Sequence, residues 1–437
     1  MDTTRRNLLL SAVFGTGWLG LRALATGLPI SVLTQSGTAH ADPPPPCAAK
    51  PQYLVLLTSG SGDPLNANVP GCYVDPGIYH PAQPTMAPTA MQVGGKTVTA
   101  ALPWTTLPAN ILARTSFIHH ATYTNSHGDA AKVNRLMGVI QRQEMLASLI
   151  SKNLAPCLKT IQEQPVVLSN NLITYNGSVM PILSPPNLQA ALASPTGPLA
   201  QLQQIRDTHV DQLNALFKQT GNVAQKQILD SYAMSQSEAR SLSQQLLNDL
   251  STIKGTTRND INIATAVLFK MNVSPVAVAT YSFGGDNHTD NGLTNEATET
   301  VNSITAIADL VARLTTYGLQ DSVTIALQNV FGRTLSIQNH SGNPDGRNHN
   351  ANHHCSVLIG AGFKSSLVGG ITLQTGGRDY RATGFDSATG KANDAGDVVY
   401  ENTLGSVGKT LGLACGVAQT ELDKQITLGK VIPAALA

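Results

Sequence analysis

The chain has 437 residues, 42% of them hydrophobic, which suffices for a substantial core in one large domain. Charged residues make up only 13%, and 28 Lys plus Arg stand against 27 Asp plus Glu. That balance excludes a coiled coil or a charged disordered tail and leaves no surplus to neutralise nucleic-acid phosphates, so no nucleic-acid partner is expected. The five cysteines, Cys47, Cys72, Cys157, Cys355 and Cys415, form no CxxC pair. This argues against a zinc ribbon or a thioredoxin-type motif, and the odd number leaves at least one thiol unpaired.

At the N-terminus, Arg5 and Arg6 precede an uncharged, glycine-interrupted apolar stretch from Asn7 to Leu21, and Ala39-His40-Ala41 follows. Paired arginines, a weak hydrophobic region and an A-x-A site predict a twin-arginine signal peptide over residues 1–41, with the Tat translocase as partner during export. A retained membrane anchor is the alternative, though the apolar run is short of the ~20 residues a spanning helix needs. Cleavage would leave 28 − 3 = 25 basic and 27 − 1 = 26 acidic residues. Pro43 to Pro46 make residues 42–50 a stiff spacer. The expectation is a periplasmic or secreted protein with no membrane span in the mature chain and its globular part over 51–437.

Consecutive apolar residues predict a buried strand at Tyr53 to Thr58, and further strands at Ser116 to His119, Val276 to Tyr281, Ser322 to Gln328 and Cys355 to Ile359. Helical periodicity predicts helices from about Ala130 to Lys152, over Asp260 to Met271 and over Thr300 to Tyr317. Strand and helix alternate, so the predicted class is α/β, a mostly parallel sheet sandwiched by helices. Between Pro198 and Pro275 there is no proline, and leucine and isoleucine recur at helical spacing. An α-helical insert over about 198–255 is expected there, with no catalytic residue.

In such sheets ligands bind beyond the carboxyl ends of strands, where the polar loops of this chain fall. Asp63 closes the first loop, Thr58-Ser-Gly-Ser-Gly-Asp63, although a post-strand Asp is also a common cap or turn residue. Ser126 and His127 stand just before a predicted helix, where N–H groups and the helix dipole favour a nucleophile attacking an anionic ester. An ordinary N-cap is the bland alternative. Asp286 and His288 share one loop, a carboxylate and an imidazole suited to a divalent cation, zinc above all. Four of the eleven histidines, His340, His349, His353 and His354, fall within fifteen residues. Their tract is either a ligand source or an exposed loop that binds metal adventitiously.

These residues carry a resemblance. The stretch Leu54-Val-Leu-Leu-Thr-Ser-Gly-Ser-Gly-Asp63 through Val69-Pro70 resembles the opening strand and loop of the domain of unknown function 1501 family. Asn125-Ser-His-Gly-Asp-Ala130, Gly285-Asp-Asn-His288, Phe331-Gly-Arg-Thr334 and Gly346-Arg-Asn-His349 resemble that family's later motifs in the same order. The resemblance implies an alkaline phosphatase/sulfatase-like fold and a metal-dependent hydrolase of phosphate or sulfate esters. It further implies Asp63, Asp286, His288 and His349 as ligands of a divalent metal (zinc, or calcium/magnesium), with Ser126 and His127 catalytic. Two family carboxylates are replaced, by Val330 and Asn348, so at most one tightly bound ion is expected. The substrate would be an anionic ester. The rival reading is a non-catalytic relative with a degenerate metal site that binds a surface component.

Overall fold

The computed structural model describes residues 52–57, 61–130, 145–158, 162–169, 173–192, 244–336 and 346–437, with single positions at 133, 160 and between 208 and 226. The predicted signal peptide and spacer, most of the helical insert, His340 and the greater part of the helix expected over 130–152 lie outside the described residues.

Strand β1 is Gln52–Leu57, β2 and β3 form a hairpin from Pro88–Val93 and Lys96–Ala101, and β4 is Thr115–His120. Helix α1 (Leu146–Leu158) and the short β5 (Val166–Val167) follow, then helices α2 (Gln244–Ser251) and α3 (Arg258–Lys270). Strand β6 (Val276–Thr280), helix α4 (Thr294–Thr316) and β7 (Val323–Gln328) continue the alternation. The last third holds β8 (Gly332–Arg333), β9 (His349–Asn350), β10 (His354–Ile359), β11 (Ser366–Val368) and helix α5 (Thr403–Ala414).

Seven strands form the main sheet in the order β11-β4-β10-β7-β1-β6-β5. Both faces are buried, as continuous apolar strands require. Val276, Val278, Ala326 and Leu358 enter one core, while Ala277, Ala279, Ile325, Leu327 and Val357 enter the other. Helix α3 starts with a capping box, Thr257 accepting from the Asp260 amide while the Asp260 carboxylate accepts from the Thr257 amide.

The mostly parallel, helix-sandwiched, alkaline phosphatase-like sheet expected from the sequence does not form. Strand β10 runs antiparallel to both its neighbours, β7 and β4. The remaining sheets among the described residues are all two-stranded antiparallel pairs. A mixed main sheet with small antiparallel satellites is the observed architecture. The physical reason is that an apolar run reports burial on both faces but not direction. Among the described residues, β7 is joined to β10 by the β8/β9 pair and by no crossover helix, so nothing described there forces β10 parallel.

The described end of the helical stretch belongs to the main core. Leu246, Leu250 and Ile253 are buried with Ala277 and Ile325, and Gln189 Nε2 donates to the Leu250 carbonyl at 2.7 Å. No helix among the described residues is long and apolar enough to cross a membrane.

Candidate metal centre

Register places the loops that matter at one sheet edge. Leu57 lies beside Thr280 and Gln328, so the carboxyl ends of β1, β6 and β7 are level. His354, which begins the antiparallel β10, lies opposite His120, which ends β4. The loop entering β10 therefore meets the loops leaving the other four strands, and antiparallel β10 delivers His349 to the same edge that a parallel strand would have served.

Asp286 and His288 from the β6 loop, His349 from β9 and His127 from the turn after β4 converge there. His288 Nε2 is 3.0 Å from His349 Nε2 and 3.2 Å from Asp286 Oδ1, and His349 Nε2 is 3.9 Å from the same oxygen. Ligand atoms of His127, Asp286 and His349 lie within 4.8 Å of one another. The side chain of Asp286 is 44% exposed, that of His288 36% and that of His349 20%, so an ion or small molecule can reach them. Phe331 forms the floor, its ring 4.3 Å from that of His349 and 5.3 Å from that of His127.

Hydrogen-bond chemistry fixes what these atoms present. His349 Nδ1 lies 2.6 Å from the Asn125 carbonyl, which can only accept, so Nδ1 carries the proton and Nε2 carries a lone pair. Burial lowers the His349 pKa, outweighing the Asn125 hydrogen bond, and the Arg333, His288 and His127 charges add to it, so the ring is neutral near pH 7. His288 Nε2 faces that lone pair, the Asp286 oxygen and, at 3.3 Å, the Arg333 Nη1 donor. One donor and two acceptors around a single nitrogen leave at least one contact uncompensated whichever tautomer His288 adopts. A cation among the three acceptors offsets their mutual repulsion and leaves Arg333 Nη1 its bond to the Arg347 carbonyl at 3.4 Å. An imidazole held through Nδ1–H on a backbone carbonyl, with Nε2 free, is also the usual arrangement behind a metal-ligating histidine.

Arg333 braces the site from below. Its side chain is fully buried, and it donates to Asp286 Oδ1 at 2.6 Å and to the Ser61 carbonyl at 2.7 Å. Burial works against the Asp286 carboxylate, yet the Arg333 hydrogen bond and charge, with the His288 and His127 rings, hold its pKa below the ordinary value. Arg333 falls within the Phe331-Gly-Arg-Thr334 motif, which by itself assigns it no role. Its position directly after the β7 loop was the available signal.

Asp63 has a different task from the one expected. It is fully buried, and its oxygens accept from the backbone N–H groups of Leu65 at 3.1 Å, Phe283 at 2.9 Å and Gly285 at 3.3 Å. It ties the β1 loop to the loop carrying Asp286, as a turn carboxylate does. Burial raises its pKa to about 7 despite those three bonds and the Arg333 charge. Gly62 beside it takes a positive φ of 76°, and a Cβ there would lie 1.8 Å from the Phe331 ring.

Ser126 precedes a single short turn, His127–Asp129, without a side-chain cap. Its own N–H donates to Thr124 Oγ1 at 3.1 Å, so that amide is not directed at a substrate. Val330 is buried in the apolar core and Asn348 pairs through its backbone with Thr334. Neither position supplies a carboxylate.

A second cluster, Cys72, His119 and His353, is entirely buried with ligand atoms within 4.8 Å. Its spacing would suit a soft cation, but its protons are already assigned. The Asn66 amide is locked by Arg333, accepting from the Arg333 N–H at 2.8 Å and donating to the Arg333 carbonyl at 2.9 Å. Its NH2 group also donates to His353 Nδ1 at 3.0 Å. His353 Nε2 must then carry the proton and donate to His119 Nδ1 at 2.9 Å, and His119 Nε2–H donates to the Pro70 carbonyl at 2.9 Å. Cys72 donates to the Asn66 carbonyl at 3.0 Å. Both rings are neutral and satisfied, burial pushing His119 down to about 4 and His353 well below its usual value. The histidine tract thus divides: His349 faces the open edge, and His353 is a structural link in the interior.

Residues 189–383 match the model of a family described as Protein of unknown function (DUF1501). Three of the resembling motifs, those at Asp286, Phe331 and Gly346, fall inside that span, and the match supports the DUF1501 resemblance they carry. No curated protein matches the chain.

Proposed function

We propose that this protein is a metal-dependent hydrolase of phosphate or sulfate esters, working outside the cytoplasm with a single ion. The observation that carries the reading is the meeting of His349 Nε2, His288 Nε2 and Asp286 Oδ1 around one solvent-open point, with a ligand atom of His127 within 4.8 Å of those of Asp286 and His349. Three imidazoles and one carboxylate are a donor set for zinc in preference to calcium or magnesium, which favour oxygen. A bound dication would supply Lewis acidity toward an ester oxygen. The chain's own groups do the rest: Asn125 orients His349, Arg333 keeps Asp286 ionised, and Ser126 on the exposed rim beside His127 is the proposed nucleophile. With Val330 and Asn348 in place of carboxylates, nothing in this reading calls for a second ion.

The test is hydrolysis of an aryl phosphate and an aryl sulfate by purified protein, chelated and then reloaded with Zn2+. Turnover that returns with zinc and is lost in His349→Ala supports the reading. A zinc-binding protein inert toward both esters favours the second reading, a non-catalytic relative that binds a surface component. That alternative is favoured by the Arg333 guanidinium, which already occupies Asp286 Oδ1. Export rests on Arg5, Arg6 and Ala39-His40-Ala41. Mass spectrometry finding Asp42 as the first residue supports it, and an unprocessed N-terminus in the membrane fraction overturns it.

A further inference from the structure

Arg347 and Glu296 form an ion pair with side chains 1% and 0% exposed, Nε to Oε2 at 2.8 Å and Nη2 to Oε1 at 3.0 Å. Arg347 falls within the Gly346–His349 motif and Glu296 in none of the motifs, and the nearest bond of the pair to the candidate centre is the Arg347 carbonyl accepting from Arg333 Nη1 at 3.4 Å. Their other bonds reach the loops after β1, β6 and β7 that build the centre. Glu296 accepts from Asn68 at 2.8 Å, five residues beyond Asp63, and from the Asn287 side chain at 2.9 Å, between Asp286 and His288. Arg347 donates to the carbonyls of Thr334 at 2.8 Å and Tyr79 at 2.5 Å, and its own N–H donates to the Asn287 carbonyl at 3.1 Å. Thr334 adjoins Arg333, and Arg347 stands two residues before His349. The two loops also touch without an intervening side chain, since a Cβ on Gly346 would lie 1.9 Å from the His288 carbonyl oxygen.

We propose that Glu296 and Arg347 are positioning residues: the buried pair, with Gly346 beside it, sets the separation between the His288 loop and the His349 loop, and so makes the His288–His349 contact possible. A pair kept only for fold stability would need neither the double tie to Asn287 nor a glycine at 346. The inference concerns the centre described above and rests on the metal reading for its functional consequence, but the geometry it predicts does not need an ion.

Two variants perturb the spacing by different means. Glu296→Gln removes the charge and puts an amide NH2 against donors that require an acceptor, while Gly346→Ala leaves the ion pair intact and wedges the loops apart. Crystal structures of the metal-free full chain are the first measurement. The Nε2–Nε2 separation, 3.0 Å here, should open in both variants beyond about 4 Å, outside hydrogen-bond reach, and an unchanged separation overturns the proposal. The second measurement is Zn2+ titration by calorimetry below the melting temperature, where both variants should bind at least about tenfold more weakly than the parent. Affinity within twofold of the parent, in variants whose melting temperature has dropped, would leave the pair a purely structural device and overturn the positioning role. If the parent binds no Zn2+, the metal reading fails, and the separations alone decide this inference.

Discussion

His288 and His349 stand 61 residues apart in sequence and face each other nitrogen to nitrogen across 3.0 Å, with the Asp286 carboxylate alongside. Because Asn125 holds the Nδ1 proton of His349, the facing Nε2 atom can only accept. An arrangement of acceptors so close is stable when a proton or a cation sits among them, and the two occupants compete.

Metal binding should therefore be pH-linked. One Zn2+ per chain is expected, with affinity falling as pH drops below about 6.5, where free imidazoles protonate. Burial depresses the His349 pKa, so this ring stays available to lower pH than an exposed histidine. His349→Ala and Asp286→Asn should each weaken binding by tenfold or more, whereas Asp63→Asn should act on stability first. Calorimetry at pH 7.5 and 5.5 is the check, and affinity equal at the two values would remove the histidines from the site.

The interior makes a separate acid prediction. Burial pushes His80 to about 3, His119 and His120 to about 4, and His353 and His354 well below their usual value. Each titrates near 6.5 when unfolded, so between those limits the unfolded chain binds more protons and stability falls as pH falls. Asp63 works the other way: its pKa is raised to about 7, so the folded chain holds a proton there that the unfolded chain releases. Five protons gained less one lost predicts an uptake of about four on unfolding near pH 5. The slope of unfolding free energy against pH, from urea titrations between pH 7 and 4.5, measures this number. A flat profile would mean that these histidines are not buried neutral.

What the sequence made legible follows from what each signal encodes. Consecutive apolar residues located β1, β4, β6, β7 and β10 because burial on both faces leaves no alternation, and the polar loops at their ends pointed to Asp286, His288 and His349. Strand direction was not legible, since Val357, Leu358 and Ile359 read alike in either sense. Asp63 reads as a ligand because a carboxylate after a strand and glycines looks the same in sequence whether it meets a cation or three backbone amides. His353 reads together with His349 by proximity in sequence, but the four residues from His349 to His353, just ahead of β10, carry the chain from the open edge into the interior. Arg347 was visible only as part of the Gly346–His349 motif and Glu296 not at all, because the contact that pairs them joins the first turn of α4 to a distant loop.

The buried histidines allow the second cluster to be tested against the first. Replacing His353 by leucine strands the Asn66 amide and His119 Nδ1, each buried without another partner for that bond. A loss of about 2–3 kcal/mol is expected, the desolvation cost of an orphaned polar group with some relaxation. Zinc stoichiometry should stay at one per chain in this variant and in Cys72→Ala. An ion count lower in Cys72→Ala than in the parent would mean that the thiol and the two imidazoles exchange their hydrogen bonds for a metal.

The end of the helical stretch offers a test of where the main fold begins. Helix α2 contributes Leu246 and Leu250, 2% and 4% exposed, to the core cluster that holds Ala277 and Ile325 of the central strands. Asp249 accepts from the Tyr317 hydroxyl at the end of α4, and Arg313 approaches the same carboxylate at 3.9 Å. A segment with those contacts is part of the cooperative unit and not an appendage to it. Leu250→Ala should cost about 2–5 kcal/mol, as large-to-small changes in a closed core do. Deleting 198–255 removes Leu246, Leu250 and Ile253 together and should abolish the cooperative thermal transition followed by circular dichroism. If the deleted protein still melts cooperatively near the parent temperature, the core closes without α2 and the helical stretch is separable over its whole length.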